Sequence, residues 1–232
     1  MSKRNIILFF VFSALVVAVF LLQLLLGSVS IPFSEVVNIL FRNTSQNEAW
    51  KNILWQSRFP AALAALFAGA GLSVSGLQMQ TMFRNPVAGP YVLGISAGAG
   101  FGVAVFILAA SAFGIHEIHL LSSWSIIFAA AAGAVFILLI NFIISFRLND
   151  VIAILIIGLM IGGGISALIE IMQSFSSNEA LKSYVLWTFG SFRYVDLKQV
   201  VYLSIVVIIG IIFSFFLSKP LNPVVLGNTY AT

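Results

Sequence analysis

Long apolar stretches alternate with short polar breaks along this chain, and that pattern predicts a bundle of membrane-spanning helices. A helix needs about 20 mostly apolar residues to cross a bilayer. Six stretches reach or approach that length, and we predict spans at residues 6–26, 59–83, 91–113, 123–146, 151–173 and 200–217. Residues 28–57 are polar with amphipathic pieces, so they predict an external loop with interfacial helices, and residues 218–232 predict a polar tail.

Composition supports an integral membrane protein. Only 8% of the residues are charged, whereas a soluble domain carries about 25%. The chain has no cysteine, which excludes disulfides, thiolate metal sites and cysteine nucleophiles. No basic patch suggests a nucleic-acid partner.

The placement of charge predicts the orientation. With a cytoplasmic N-terminus, the inner segments hold five basic residues in short loops: Lys3, Arg4, Arg84, Arg147 and Lys219. The outer segments hold six basic residues, but they spread over longer loops that also carry most of the acids. Because basic density is higher on the first set, we expect the N-terminus inside.

Small residues mark the second, third and fifth predicted spans as the inner helices of the bundle, since they allow close helix approach. Gly94, Gly98 and Gly102 are spaced by four and form one smooth helix face. Gly158 and Gly162 repeat that spacing, and Gly163 and Gly164 adjoin them. Three consecutive glycines fit either tight packing or the wall of a wide path, and we favour the path, with Ser166 as a nearby polar group.

No catalytic constellation stands out. His116 to His119 resembles a zinc-protease motif but lacks one residue of the required spacing, and Gly98 to Gly102 departs from the dinucleotide-binding pattern. Glu170 is the one acid predicted inside a span, where it is either an ion-coupled group or a carboxylate reaching water at the outer end. We therefore expect a conduit and not an enzyme, with no directly bound cofactor and with energy supplied by a partner or an ion gradient.

Several motifs resemble the FecCD/BtuC family of permeases, which serve ABC importers of iron-siderophores, haem and vitamin B12. The motifs read RFP from Arg58, SGLQMQ from Ser75, RNPVAGP from Arg84, LGISAGA from Leu93 and WTFGSF from Trp187. Their order and membrane context agree with the family over nearly the whole chain. The resemblance implies an all-α bundle of the BtuC-like type II importer permease.

The resemblance also implies partners and site residues. A second permease copy would form a homo- or heterodimer around a path, two cytoplasmic ATPase subunits would hydrolyse ATP, and an extracytoplasmic binding protein would deliver the ligand. The implied setting is the bacterial cytoplasmic membrane. The implied path and gate residues are Asn85, Pro86, Val87, Gly158, Gly162, Gly163, Gly164 and Ser166. Arg58 would dock the binding protein, although the family's second arginine is replaced by Ala61, and Leu226 and Gly227 would begin the ATPase contact.

One departure from the family concerns length. Family members have ten membrane helices, and six are predicted here, so the chain resembles a permease incomplete at its C-terminus or a natural short paralogue. On its own such a chain is expected not to transport. Two other interpretations stay open: a gradient-driven transporter or channel that uses Glu170, and a structural membrane protein without transport.

Overall fold

The computed structural model describes residues 3–42, 47–109, 123–148 and 150–226. Within these ranges the chain forms helices and turns without β-strands. The α-helices are α1 Lys3–Leu25, α2 Phe33–Arg42, α3 Glu48–Ile53, α4 Phe59–Phe83, α5 Ile95–Ala104, α6 Ser123–Ser145, α7 Val151–Ser174, α8 Asn178–Thr188 and α9 Leu197–Leu226. Two π-helical turns, Leu54–Arg58 and Val105–Ala109, follow α3 and α5 directly.

Within the described ranges, five helical stretches are long and apolar enough to cross a membrane. They are Lys3–Leu25, Glu48–Phe83, Ser123–Ser145, Ile152–Ser174 and Leu197–Ser218. A shorter apolar helix covers Ile95–Leu108. The polytopic helical membrane protein predicted from the apolar pattern is therefore confirmed.

The structure corrects one of the predicted span bounds. The third span was predicted from residue 91, but residues 91–94 form turns and α5 begins only at Ile95; residues 110–113 of that span lie outside the described ranges. The apolar part of the last helix stops at Ser218, close to the predicted end of the span at residue 217. The helix itself continues to Leu226, into the stretch predicted as a polar tail, because the end of an apolar run need not be the end of a helix.

Two compact units divide the chain, one from Met1–Leu72 with Ser191–Phe213 and one from Ser73–Gly190 with Ser214–Thr232. In the first unit a small core joins the end of α1 to α2 and the π-helical turn, through Leu24, Ile39 and Leu54. α2 is amphipathic as predicted, since Ile39 is buried while Phe41 is exposed. Along α1 only Leu24 is buried, which suits a helix surrounded by lipid.

In the second unit, α5 lies at the centre between α6 and α7. Its small residues make this possible: an added Cβ on Gly98 would lie 2.7 Å from the Gly133 carbonyl oxygen of α6. A Cβ on Gly102 would overlap the backbone oxygen of Ala129 in the same way. The backbones of α5 and α6 are thus in direct contact, which is the packing role predicted for the glycine face. Towards the C-terminal end of α5, Val103 and the following Ile107 pack with Tyr184 of α8 in a buried cluster.

Candidate functional site

The polar break predicted as a gate begins where α4 ends, in a reversal that satisfies the last helical carbonyls. Arg84 has a left-handed backbone with φ of 47°. Its N–H donates to the Thr81 carbonyl at 3.3 Å, and the N–H of Asn85 donates to the Gln80 carbonyl at 3.1 Å. These two bonds form a Schellman motif, in which glycine is the usual left-handed residue. Arginine here bears the steric strain of that conformation.

Three turns follow, at residues 85–88, 89–92 and 91–94. Proline occupies the second position of the first two. The N–H of Ala88 donates to the Asn85 carbonyl at 3.1 Å, and that of Val92 donates to the Gly89 carbonyl at 3.0 Å. Pro86 and Pro90 fit these positions because their fixed φ matches the turn. The Oδ1 atom of Asn85 also accepts the N–H of Val87 at 2.9 Å. We call residues 84–94 the turn segment.

The three predicted gate residues differ in how exposed they are to solvent. Pro86 is exposed, Val87 is 80% exposed, and Asn85 is half-buried. The structure thus places an apolar side chain, Val87, at the open tip of the turn segment and uses the Asn85 side chain to shape the turn. Their gate role stays a prediction.

The far end of the turn segment is fixed between α6 and α7. Asn141 of α6 is buried, and its Nδ2 atom donates to the Leu93 carbonyl at 3.0 Å and to the Ile137 carbonyl at 2.9 Å. Gly94 has φ of 72°, and a Cβ added there would lie 3.0 Å from the Gly158 oxygen of α7. Only glycine suits both the backbone conformation and the available space.

The predicted path residues of α7 separate into two groups. A Cβ added to Gly158 would lie 2.9 Å from the Cα of Leu93, and one added to Gly162 would lie 3.3 Å from the Cα of Gly94. These two glycines therefore have a packing role in the structure. Gly163 and Gly164 are exposed with no atom within 4 Å of an added Cβ.

We call the exposed side of α7 around these residues the open face; it consists of Gly163, Gly164, Ser166, Ala167 and Glu170. Ser166 donates its hydroxyl to the Gly162 carbonyl at 3.0 Å, so its hydroxyl oxygen can still accept. Among these five residues, Glu170 alone is ionisable, and it lies one turn before the helix ends at Ser174. The open face is thus lined by small and polar groups with one carboxylate, and its path role stays a prediction.

Arg58, predicted to dock a binding protein, lies buried near the end of α1. The π-helical turn turns its side chain inward, where it is only 7% exposed. Its Nη1 atom donates to the carbonyls of Leu24 and Leu25 at 2.9 and 2.8 Å, and Nη2 donates to that of Val29. The guanidinium therefore caps carbonyls at the end of α1, and its docking role stays a prediction.

Other predicted site residues lie at the end of the described ranges or outside them. Leu226 is the last residue of α9, while Gly227 and the stretch from His116 to His119 lie outside the described ranges. Asn141, which holds Leu93, was missed in the sequence, although a single amide inside a 23-residue apolar helix was a usable signal.

Comparison with known proteins agrees with these observations. The model of the FecCD transport family matches residues 15–232. A protein of Methanocaldococcus jannaschii, described as a candidate ABC transporter permease, is 30% identical over the whole chain and is covered to 65%. The vitamin B12 import system permease protein BtuC of Salmonella paratyphi A is 36% identical over 77% of this chain and 52% of its own length.

A solved structure described as an inward-facing conformation of a candidate metal-chelate type ABC transporter has the same fold. It matches 96% of this chain and 65% of its own chain, with a TM-score of 0.78 and 26% identity. The chain therefore spans about half to two thirds of the length of these relatives. With a family match over residues 15–232 and the fold of such a transporter, this chain belongs to the FecCD transport family.

Proposed function

We propose that the chain forms the membrane permease part of an ATP-driven importer for a metal chelate or cobalamin. The observation that carries the proposal is family membership over residues 15–232. In this proposal the permease lies in the bacterial cytoplasmic membrane with its N-terminus inside. It pairs with a second permease copy, accepts the ligand from an extracytoplasmic binding protein and couples to two ATPase subunits.

The open face of α7 and the turn segment support this proposal. Siderophore complexes, haem and cobalamin are all bulky, so a path for any of them needs width. Gly163 and Gly164 offer that width. The exposed tip of the turn segment at Val87 would narrow the inner end of the path.

The direct test is uptake into proteoliposomes that contain the full-length permease and its ATPase, with the binding protein and a radiolabelled ligand outside. Ferric siderophores, haem and cobalamin are assayed in parallel. We expect uptake of one of them with ATP inside and none with a non-hydrolysable analogue. Uptake that persists without hydrolysis and collapses with the proton gradient would refute the proposal.

A variant pair tests the open face. Gly164→Phe places a large side chain where the path would run, so we expect uptake to fall at least tenfold while the protein still inserts and purifies. Gly210→Phe is the matched control, because Gly210 of α9 also has no atom within 4 Å of an added Cβ. Equal uptake by the two variants would remove α7 from the path.

One observation favours a second candidate, a transporter driven by an ion gradient. Glu170 lies on the open face, seven residues from Gly163 and so on the same side of α7. In that case Glu170→Gln would abolish coupled transport, because an amide cannot carry the proton. An unchanged transport rate in Glu170→Gln would leave this candidate without support.

A further inference from the structure

The contact between α5 and α6 forms an antiparallel series whose last member is a side-chain hydrogen bond. Gly102 meets Ala129 first, and Gly98 then meets Gly133 and Ile137. One turn further along α6, Asn141 reaches Leu93 beyond the start of α5. The contact between α5 and α6 therefore extends into the turn segment through the hydrogen bond from Asn141 to Leu93.

Asn141 is suited to hold Leu93 in one place. It is 7% exposed, and its Nδ2 atom donates to two carbonyl oxygens, that of Leu93 in the turn segment and that of Ile137 in α6. The Oδ1 atom is buried and has no hydrogen-bond partner within the described residues. A buried acceptor without a partner costs stability, which offsets part of what the two hydrogen bonds of Asn141 contribute. We therefore assign these bonds mainly to holding Leu93 in position.

The opposite side of Leu93 and Gly94 is closed by α7. Gly158 approaches the Cα of Leu93, and Gly162 approaches the Cα of Gly94, so closely that a methyl group on either would press on the backbone. Leu93 and Gly94 are thus held by a hydrogen bond from α6 and by direct contact with α7. A displacement there would have to move two long helices.

The rest of the turn segment has weaker attachments. Between residues 85 and 92, Ala88 alone is buried, and its methyl group offers little contact area. Val87 and Tyr91 are 80% and 75% exposed. Most backbone hydrogen bonds there join neighbours within the turns. Two leave this stretch, from the N–H of Asn85 to the Gln80 carbonyl of α4 and from the N–H of Gly94 to the Tyr91 carbonyl, so a movement of residues 85–92 has to break only these two.

We infer that Asn141 is a positioning residue that fixes Leu93 and Gly94, so that residues 85–92 swing about this fixed point while α5 stays with α6 and α7. As a gate mechanism, this inference rests on the proposed transport function. The fixed point itself does not, and it can be measured in the isolated chain.

Spin labels can test the fixed point, because the chain has no cysteine of its own. One label goes on Tyr91→Cys and the other on Phe136→Cys, an exposed position of α6. Asn141→Leu keeps the branched shape of the side chain and removes both hydrogen bonds. We expect it to broaden the distance distribution between the labels at least twofold, with little change in Tm.

Ser145→Ala is the matched control, because it removes a hydroxyl on α6 that bonds only within its own helix, to Phe142. It should leave the distribution unchanged. An unchanged distribution in Asn141→Leu, or equal broadening in both variants, would overturn the inference. Broadening together with absent ATP-driven uptake by the unmodified protein would instead refute only the proposed function.

Hydrogen exchange of the unmodified protein covers the case in which Asn141→Leu does not fold. The N–H of Gly98 donates to the carbonyl of the fixed Gly94 at 2.9 Å, whereas the N–H of Asn85 donates to the Gln80 carbonyl of α4 at 3.1 Å, a bond that a swing of residues 85–92 breaks. If Leu93 and Gly94 are fixed while residues 85–92 swing, the Gly98 N–H exchanges at least tenfold more slowly than that of Asn85. Equal rates, after correction for intrinsic exchange, would overturn the inference.

Discussion

Gly98→Ala is the sharpest test of the packing described for the second unit. The added methyl carbon would lie 2.7 Å from the Gly133 oxygen and 2.5 Å from Cγ1 of Ile137. Ordinary contact begins at about 3.4 Å. The Ile137 side chain is 1% exposed and has little room to turn away, and the Gly133 oxygen belongs to the backbone. The two helices must therefore separate by about 0.7 Å, which is the difference between the 2.7 Å distance to the Gly133 oxygen and the ordinary contact distance of 3.4 Å.

The energetic cost follows from two opposing effects. Alanine favours a helix over glycine by about 1 kcal/mol, and forcing an extra carbon into a close-packed contact costs about 1–3 kcal/mol. Gly210→Ala has the first effect without the second, since nothing lies near an added Cβ there. The difference between the two variants isolates the overlap, and we expect Gly98→Ala to be about 1–3 kcal/mol less stable than Gly210→Ala.

Thermal unfolding in detergent, followed by fluorescence-detected size exclusion, measures this difference. A free-energy change of 1 kcal/mol shifts Tm by about 2–4 °C for a chain of this length. Equal Tm values for the two variants would refute the direct backbone contact between α5 and α6. A lower Tm for Gly210→Ala would refute the open surroundings of α9 at that residue.

Three further predictions concern Arg58 and the turn segment. Arg58→Met leaves three buried or half-buried carbonyls without a donor, so we expect a loss of about 3 kcal/mol in unfolding free energy; the exposed Arg193→Met should lose none, and equal losses would refute the capping role. Arg84→Val should be about 1–2 kcal/mol less stable than Arg84→Gly, because a β-branched residue fits the left-handed backbone poorly; equal Tm values would contradict this. Asn85→Leu should reduce transport more than membrane insertion, whereas Asn85→Asp keeps the acceptor for Val87 and should transport better; equal losses of insertion and transport would count against the gate.

The helices could be predicted largely from the sequence, because a bilayer imposes a simple rule on length and polarity. A spanning helix must satisfy its own backbone, so long apolar runs have few alternatives to α-helix. The rule does not locate the ends. α5 starts four residues later than predicted because Pro90 and the left-handed Gly94 form turns inside an apolar run, and hydropathy is insensitive to turns.

Side-chain roles were harder to predict, because spacing along a helix does not identify the partner. The four-residue spacing of Gly94, Gly98 and Gly102 correctly indicated close packing, but it did not identify the helix that packs against them. Arg58 was interpreted as a surface charge because its burial depends on a π-helical turn and on carbonyls more than 25 residues earlier. Those contacts arise only in the folded chain.

The glycines of α7 have two different surroundings, which divide them into a packed pair and an open pair. Each glycine in a helix costs about 1 kcal/mol relative to alanine. At Gly158 and Gly162 the close approach of Leu93 and Gly94 offsets that cost with contacts that no other residue would allow. At Gly163 and Gly164 nothing within the described chain does so. Gly210 of α9 is equally open, so the assignment of the open face to the path rests on the proposed function and is decided by the difference in uptake between Gly164→Phe and Gly210→Phe.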